Sequence, residues 1–125
     1  MNLIKLRPSV IFYCVIILLL SSIPAKSFPI LPLFGLDKFV HLIEYTFFGI
    51  LLLRCVVEFK LIPVLLMFSA GILFGIIDEF WQSMIPGRIT TLEDWLADSA
   101  GVILGGTIVI ITKLSAEKFK SKQNG

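Results

Sequence analysis

Polar positions along this chain are sparse and grouped, and the apolar runs between them are about as long as a bilayer is thick. After Lys5 and Arg7, residues 8–25 carry no charge. Residues 39–57 are apolar except for His41, Glu44 and Arg54. Residues 61–80 stay uncharged until Asp78 and Glu79, and residues 95–112 contain only Asp98. At about 1.5 Å of rise per residue, each run covers most of a ~30 Å hydrocarbon core. Backbone groups in lipid must be satisfied within their own segment or a closed barrel, and no period-two alternation of barrel type appears. The pattern predicts an all-α integral membrane bundle of four transmembrane helices, forming a single domain over residues 1–125.

Composition agrees. Of 125 residues, 57% are hydrophobic and 16% charged, against about a quarter charged in ordinary globular chains. Mean hydropathy is +0.96. So much apolar surface exceeds what one small soluble core hides, and it excludes disorder. A net charge of +2 without a basic stripe excludes a nucleic-acid reader. The basic residues set an orientation with both termini cytoplasmic. The inner segments then hold Lys5, Arg7, Arg54, Lys60, Lys113, Lys118, Lys120 and Lys122 against Glu58 and Glu117. The outer parts hold Lys26, Lys38 and Arg88 against Asp37, Glu44, Asp78, Glu79, Glu93, Asp94 and Asp98. The Ala25-Lys26-Ser27 stretch resembles a processing site, but the length of the first run favours an uncleaved anchor. The basic tail from Lys113 reads as a solvated inner end able to touch anionic lipid. Cys14 and Cys55 read as small apolar thiols, without disulfide or metal spacing.

The chemistry concentrates on the outer side. Asp37, His41 and Tyr45 follow i, i+4, i+8, and Glu44 falls on the same face, with Lys38 beside it. Asp78 and Gln82 are four apart at the end of the third helix. Asp78 reads as a water-facing helix edge, whereas Glu79, beside Phe80 and Trp81, is harder to place in water. Trp81 and Trp95 read as aromatic-belt residues. Pro86-Gly87-Arg88 makes a turn, and Thr91 with Asp94 forms a capping-box pattern with Asp in the place of Glu. Asp94 and Asp98 share a face that Gly101 and Gly105 continue. That small-residue spacing allows close helix packing, including packing against a second copy. Asp98, one turn inside an apolar span, requires a partner, and Arg88 is the expected one.

The stretches Ser21/Ser22…Pro24, Asp37-Lys38…His41…Tyr45…Gly49 and Gly75…Glu79…Gln82…Pro86-Gly87-Arg88…Asp94…Asp98…Gly101…Gly105 resemble the VanZ-like family of small bacterial membrane proteins. The resemblance covers nearly the whole chain. Position 98, Asp here, is often Asn in that family. The resemblance implies a multi-pass protein of the bacterial cytoplasmic membrane, in the cell envelope. The family's namesake is linked to low-level teicoplanin resistance, but the resemblance supplies no biochemical activity.

The residues themselves favour a ligand-binding site of Asp37, Lys38, His41, Tyr45, Glu79, Gln82, Arg88, Asp94 and Asp98. It would hold a lipid headgroup or a lipid-linked cell-wall precursor, with Arg88 and Lys38 toward phosphate or carboxylate. The membrane lipids would be its partners, with no nucleic acid. A membrane enzyme is the alternative: a hydrolase or transferase with His41 and Glu79 as acid and base. In a metal version of that enzyme, His41, Glu79, Asp94 and Asp98 hold a divalent ion, better Mg or Mn than Zn. No metal motif or cofactor signature stands in the sequence. Proton- or ion-coupled transport through His41, Glu44 and Asp98 is a further alternative, and so is a purely structural ion-pair network.

Overall fold

A computed structural model describes residues 3–24, 27 and 36–123. These form four helices: α1 Pro8–Ser21, α2 Leu36–Leu53, α3 Leu61–Ser83 and α4 Leu92–Gln123. No strand occurs among the described residues, only a single antiparallel bridge between Ile4 and Val56. Ala25 and Lys26, part of the processing site considered above, lie outside the described residues.

Local chemistry sets the helix ends. α1 begins with Pro8 at its first turn, where a missing N–H costs nothing. It closes where Ser22 Oγ donates to the Leu18 carbonyl at 2.6 Å, two residues before Pro24. α2 stops at Leu53, earlier than the expected limit of 57. The chain there tightens into i→i−3 bonds, Cys55 N to Leu52 O and Val56 N to Leu53 O. Val57 N then donates to Leu3 O, and Lys5 N to Cys55 O, so the N-terminal segment is tied to the end of α2. α3 tolerates Pro63 in its first turn. It ends before a turn in which Gly87 takes a positive φ of 78°, a conformation that suits glycine. α4 runs well past the expected limit of 112, to Gln123. No Gly or Pro stands between Gly106 and Gln123 to stop it, so the basic tail is helical through Gln123.

By length and composition α3 and α4 can each cross a membrane. α1, with 14 residues, reaches only about 21 Å, and α2 carries Asp37, Lys38 and Glu44.

α2 and α4 make the most extensive pairing, and glycine makes it possible. A Cβ on Gly101 would meet the Leu42 carbonyl at 2.6 Å, and one on Gly105 would overlap the Thr46 carbonyl. Gly49 of α2 stands in the same relation to the Val102 backbone. The Gly101/Gly105 face that the sequence offers to a second copy is thus covered by α2 of the same chain.

The molecule is apolar outside and mixed inside. Phe12, Phe39, Leu65, Phe80 and Ile111 are exposed, while Ser21, His41, Asp78, Gln82, Asp94 and Asp98 are buried. The apolar core of Val10, Ile17, Tyr45, Phe48, Leu52, Leu53, Cys55, Val56 and Val102 adjoins these polar groups, and Tyr13, Phe48 and Phe74 pack ring on ring within it.

Gly105→Ala forces α2 and α4 apart and is expected to destabilise the fold by about 1–3 kcal/mol, as core overpacking does. Thr107→Ala, on an exposed position of α4, leaves it unchanged. Thermal unfolding of the two purified variants in detergent checks the contrast.

Candidate functional site

Each helix contributes polar side chains to the end of the bundle that holds the acids, and the residues read from the sequence divide into three connected groups. The first is a rim at the start of α2 and α4. Lys38 Nζ lies 3.2 Å from Asp37 Oδ2, 3.2 Å from Asp94 Oδ1 and 3.5 Å from Glu93 Oε2. Its hydrogen bonds to Asp37 and Asp94 raise the Lys38 pKa above the usual lysine range, so the ammonium stays charged. Asp94 is also the capping acid the sequence predicts. The Thr91 backbone N–H donates to Asp94 Oδ2 at 3.0 Å and Thr91 Oγ1 donates to it at 2.8 Å. The Asp94 backbone N–H returns a bond to Thr91 Oγ1 at 3.3 Å. One carboxylate thus caps α4 and anchors α2 to it.

The second group lies one turn deeper. His41 Nδ1 donates to Asp98 Oδ1 at 2.8 Å, and Glu79 Oε1 stands 4.0 Å from the same nitrogen. Asp98 is completely buried, and its other oxygen, Oδ2, has no hydrogen-bond partner. Neither oxygen of Glu79 has one. The three residues each offer a ligand atom, and these atoms lie within 4.8 Å of one another. α2, α3 and α4 therefore supply one residue apiece.

The third group joins α1, α2 and α3. Tyr45 O–H donates to Asp78 Oδ2 at 3.0 Å. Gln82 Nε2 donates to the same oxygen at 3.3 Å and to Ser21 Oγ at 3.0 Å. Glu44 sits nearby in the sequence of α2. Its backbone carbonyl accepts from Tyr13 O–H at 3.0 Å, and its Oε1 is buried without a partner.

Several expectations are corrected here. Asp98 pairs with His41, not with Arg88. Arg88 Nη2 donates to the Leu20 carbonyl at 3.3 Å, because the Pro86-Gly87 turn carries it toward the end of α1. Asp78 is no water-facing edge but is fully buried, and it belongs to the site. Its signal was present: Gly71, Gly75, Asp78 and Gln82 follow the 4-3-4 spacing of one helical stripe, and all four are buried on α3. Ser21 was legible only through the family resemblance. The two Trp residues do more than mark an interface. Trp81 Nε1 donates to Ser22 Oγ at 2.8 Å, and Trp95 Nε1 donates to the Ile72 carbonyl at 3.1 Å, linking α3 to α1 and α4 to α3.

A small all-α bundle with an apolar exterior, a buried His–carboxylate cluster and two helices long and apolar enough to cross a bilayer has the character of a membrane protein. The chain belongs to the VanZ/LLP1 family, whose model matches residues 2–113. No curated protein and no solved structure matches it.

Tyr45→Phe deletes the hydroxyl that donates to Asp78 Oδ2 and is expected to lower stability by about 1–3 kcal/mol, the cost of leaving a buried acceptor short of a donor. Thermal unfolding of Tyr45→Phe, Asp78→Asn and the double variant in detergent should show the double losing less than the two singles together.

Proposed function

We propose that the chain crosses the bacterial cytoplasmic membrane four times, with both termini inside, and holds the polar head of an envelope lipid or lipid-linked cell-wall precursor at the outer leaflet. The observation that carries this reading is the buried polar cluster beside helix faces that expose Phe39, Val40 and Phe80. An acyl or polyprenyl chain lying on those faces brings its head to the level of His41 and Glu79.

The unpartnered oxygens of Glu79 and Asp98 are acceptors for sugar hydroxyls and amines, and Lys38 keeps a positive charge at the rim for a phosphate. Competition for such a precursor is how the protein would alter glycopeptide susceptibility, teicoplanin included. Orientation follows from charge. Arg7, Arg54 and Lys113 converge on a cavity of about 450 Å³ at the end opposite the acids, consistent with a basic inner face.

Two measurements test the parts separately. In otherwise cysteine-free protein, Thr90→Cys should react with a membrane-impermeant thiol reagent on intact cells, and Ser115→Cys only after lysis; the reverse pattern removes the orientation. Native mass spectrometry of the detergent-purified chain should show a retained lipid. That lipid should fall about tenfold in Lys38→Ala and Glu79→Gln, a loss of about 1.4 kcal/mol, and should be unchanged in Lys120→Ala. Equal retention in all four proteins removes the headgroup site.

A further inference from the structure

The second group of the site poses a problem that headgroup binding does not resolve. His41, Glu79 and Asp98 lie where three helices meet, and Asp98 is wholly buried. A single imidazolium can balance one carboxylate. Lys38 is engaged with Asp37, Asp94 and Glu93 at the rim. Asp98 Oδ2 and both Glu79 oxygens are buried with no hydrogen-bond donor. Buried carboxylate oxygens left this way cost several kcal/mol in an apolar setting, unless a proton or a cation joins them.

We infer that His41, Glu79 and Asp98 bind a divalent cation of the Mn²⁺ class, one ligand atom coming from each of α2, α3 and α4. An ion about 2.1 Å from every ligand atom puts neighbouring ligands about 3.0 Å apart and opposite ones about 4.2 Å apart in an octahedron. The observed separations are 2.8 Å between His41 Nδ1 and Asp98 Oδ1, and 4.0 Å between His41 Nδ1 and Glu79 Oε1. Each lies about 0.2 Å short of the matching octahedral separation, and all three ligand atoms lie within 4.8 Å of one another. The ion takes the place of the proton now shared between His41 Nδ1 and Asp98 Oδ1, and Glu79, the longest and least buried of the three side chains, closes onto it.

Two carboxylates with one imidazole make a harder donor set than the His- and Cys-rich sites of zinc, which favours Mn²⁺ or Mg²⁺. Three protein ligands leave coordination positions open, and the small exposure of His41 and Glu79 places them toward the surface of the bundle. An open position on a divalent ion is also the natural seat for a phosphate oxygen. The site therefore deepens the headgroup reading by giving an acid-rich cluster a way to accept an anion.

The ion should bind whether or not a lipid does, so the two readings fail separately. The full chain, purified in detergent, delipidated and treated with EDTA, is titrated with Mn²⁺ and followed by electron paramagnetic resonance. One Mn²⁺ per chain is expected, displaced by excess Mg²⁺ or Zn²⁺. Glu79→Gln is the decisive variant, because both carboxylate oxygens it changes lack hydrogen-bond partners and the substitution breaks no hydrogen bond. Glu79→Gln should weaken Mn²⁺ binding about a hundredfold or more, since even the outer partners of metal ligands act on a ten- to hundredfold scale. Its helical circular dichroism and melting should stay those of the wild type. Asp98→Asn should weaken binding as strongly. No bound Mn²⁺ up to about 1 mM, which limits any affinity to about −4.1 kcal/mol, overturns the proposal. So does Glu79→Gln binding Mn²⁺ as the wild type does. Mn²⁺ binding with no lipid retained in native mass spectrometry upholds the ion site and counts against the headgroup reading alone.

Discussion

Ionisable side chains in the apolar part of this chain have one tolerable direction, which is inward. Each costs about 2.5 kcal/mol or more when left facing hydrocarbon. His41, Asp78, Asp94 and Asp98 are all buried, on three different helices. Once they turn inward the helix rotations are set, and the remaining faces can be apolar without penalty. The exposed Phe12, Phe39 and Phe80 are the other side of the same arrangement. The pairings then select partners. Lys38 holds α2 to the capped start of α4, His41 holds α2 to the middle of α4, and Tyr45 with Gln82 ties α2 and α3 around Asp78.

Short hydrogen bonds between helices require short distances between backbones. Gly49, Gly101 and Gly105 provide them by letting α2 and α4 approach until no Cβ fits. Close van der Waals packing of this kind, together with buried polar pairs, is what drives helix association where lipid removes the hydrophobic force. Packing and site are therefore one design. Asp94, Asp98, Gly101 and Gly105 lie along a single stripe of α4, so the polar end and the close-packed end of the α2–α4 seam are continuous.

The unequal helices carry a related message. α1 carries no charged residue, whereas α2 gives up apolar character in its first half to carry Asp37, Lys38, His41 and Glu44. That exchange suits a helix whose polar face is covered by two neighbours. The rim and the deeper groups also differ in kind. Asp94 is fully engaged by Thr91 and Lys38, as a structural group is. Glu79 and Asp98 keep unused acceptors.

The all-helical class, the approximate positions of the four helices and the inward turn of most residues in the candidate cluster were legible in the sequence, because helical periodicity and the cost of charge in lipid are local facts. The i, i+4 spacing of His41 with Tyr45 and of Asp94 with Asp98 announced the inward faces, and Thr91 with Asp94 announced the start of α4. What the sequence could not contain is which helix faces which. Asp98 needed a partner, but only the packing of α2 on α4 made it His41, and only the turn at Gly87 took Arg88 away to the Leu20 carbonyl. Asp78 looked like a helix edge until α1 and α2 closed over it. The glycine stripe was equally suited to a second copy, and α2 of the same chain filled it. Residue spacing along one helix determines a face; the distance between faces exists only once the helices have packed.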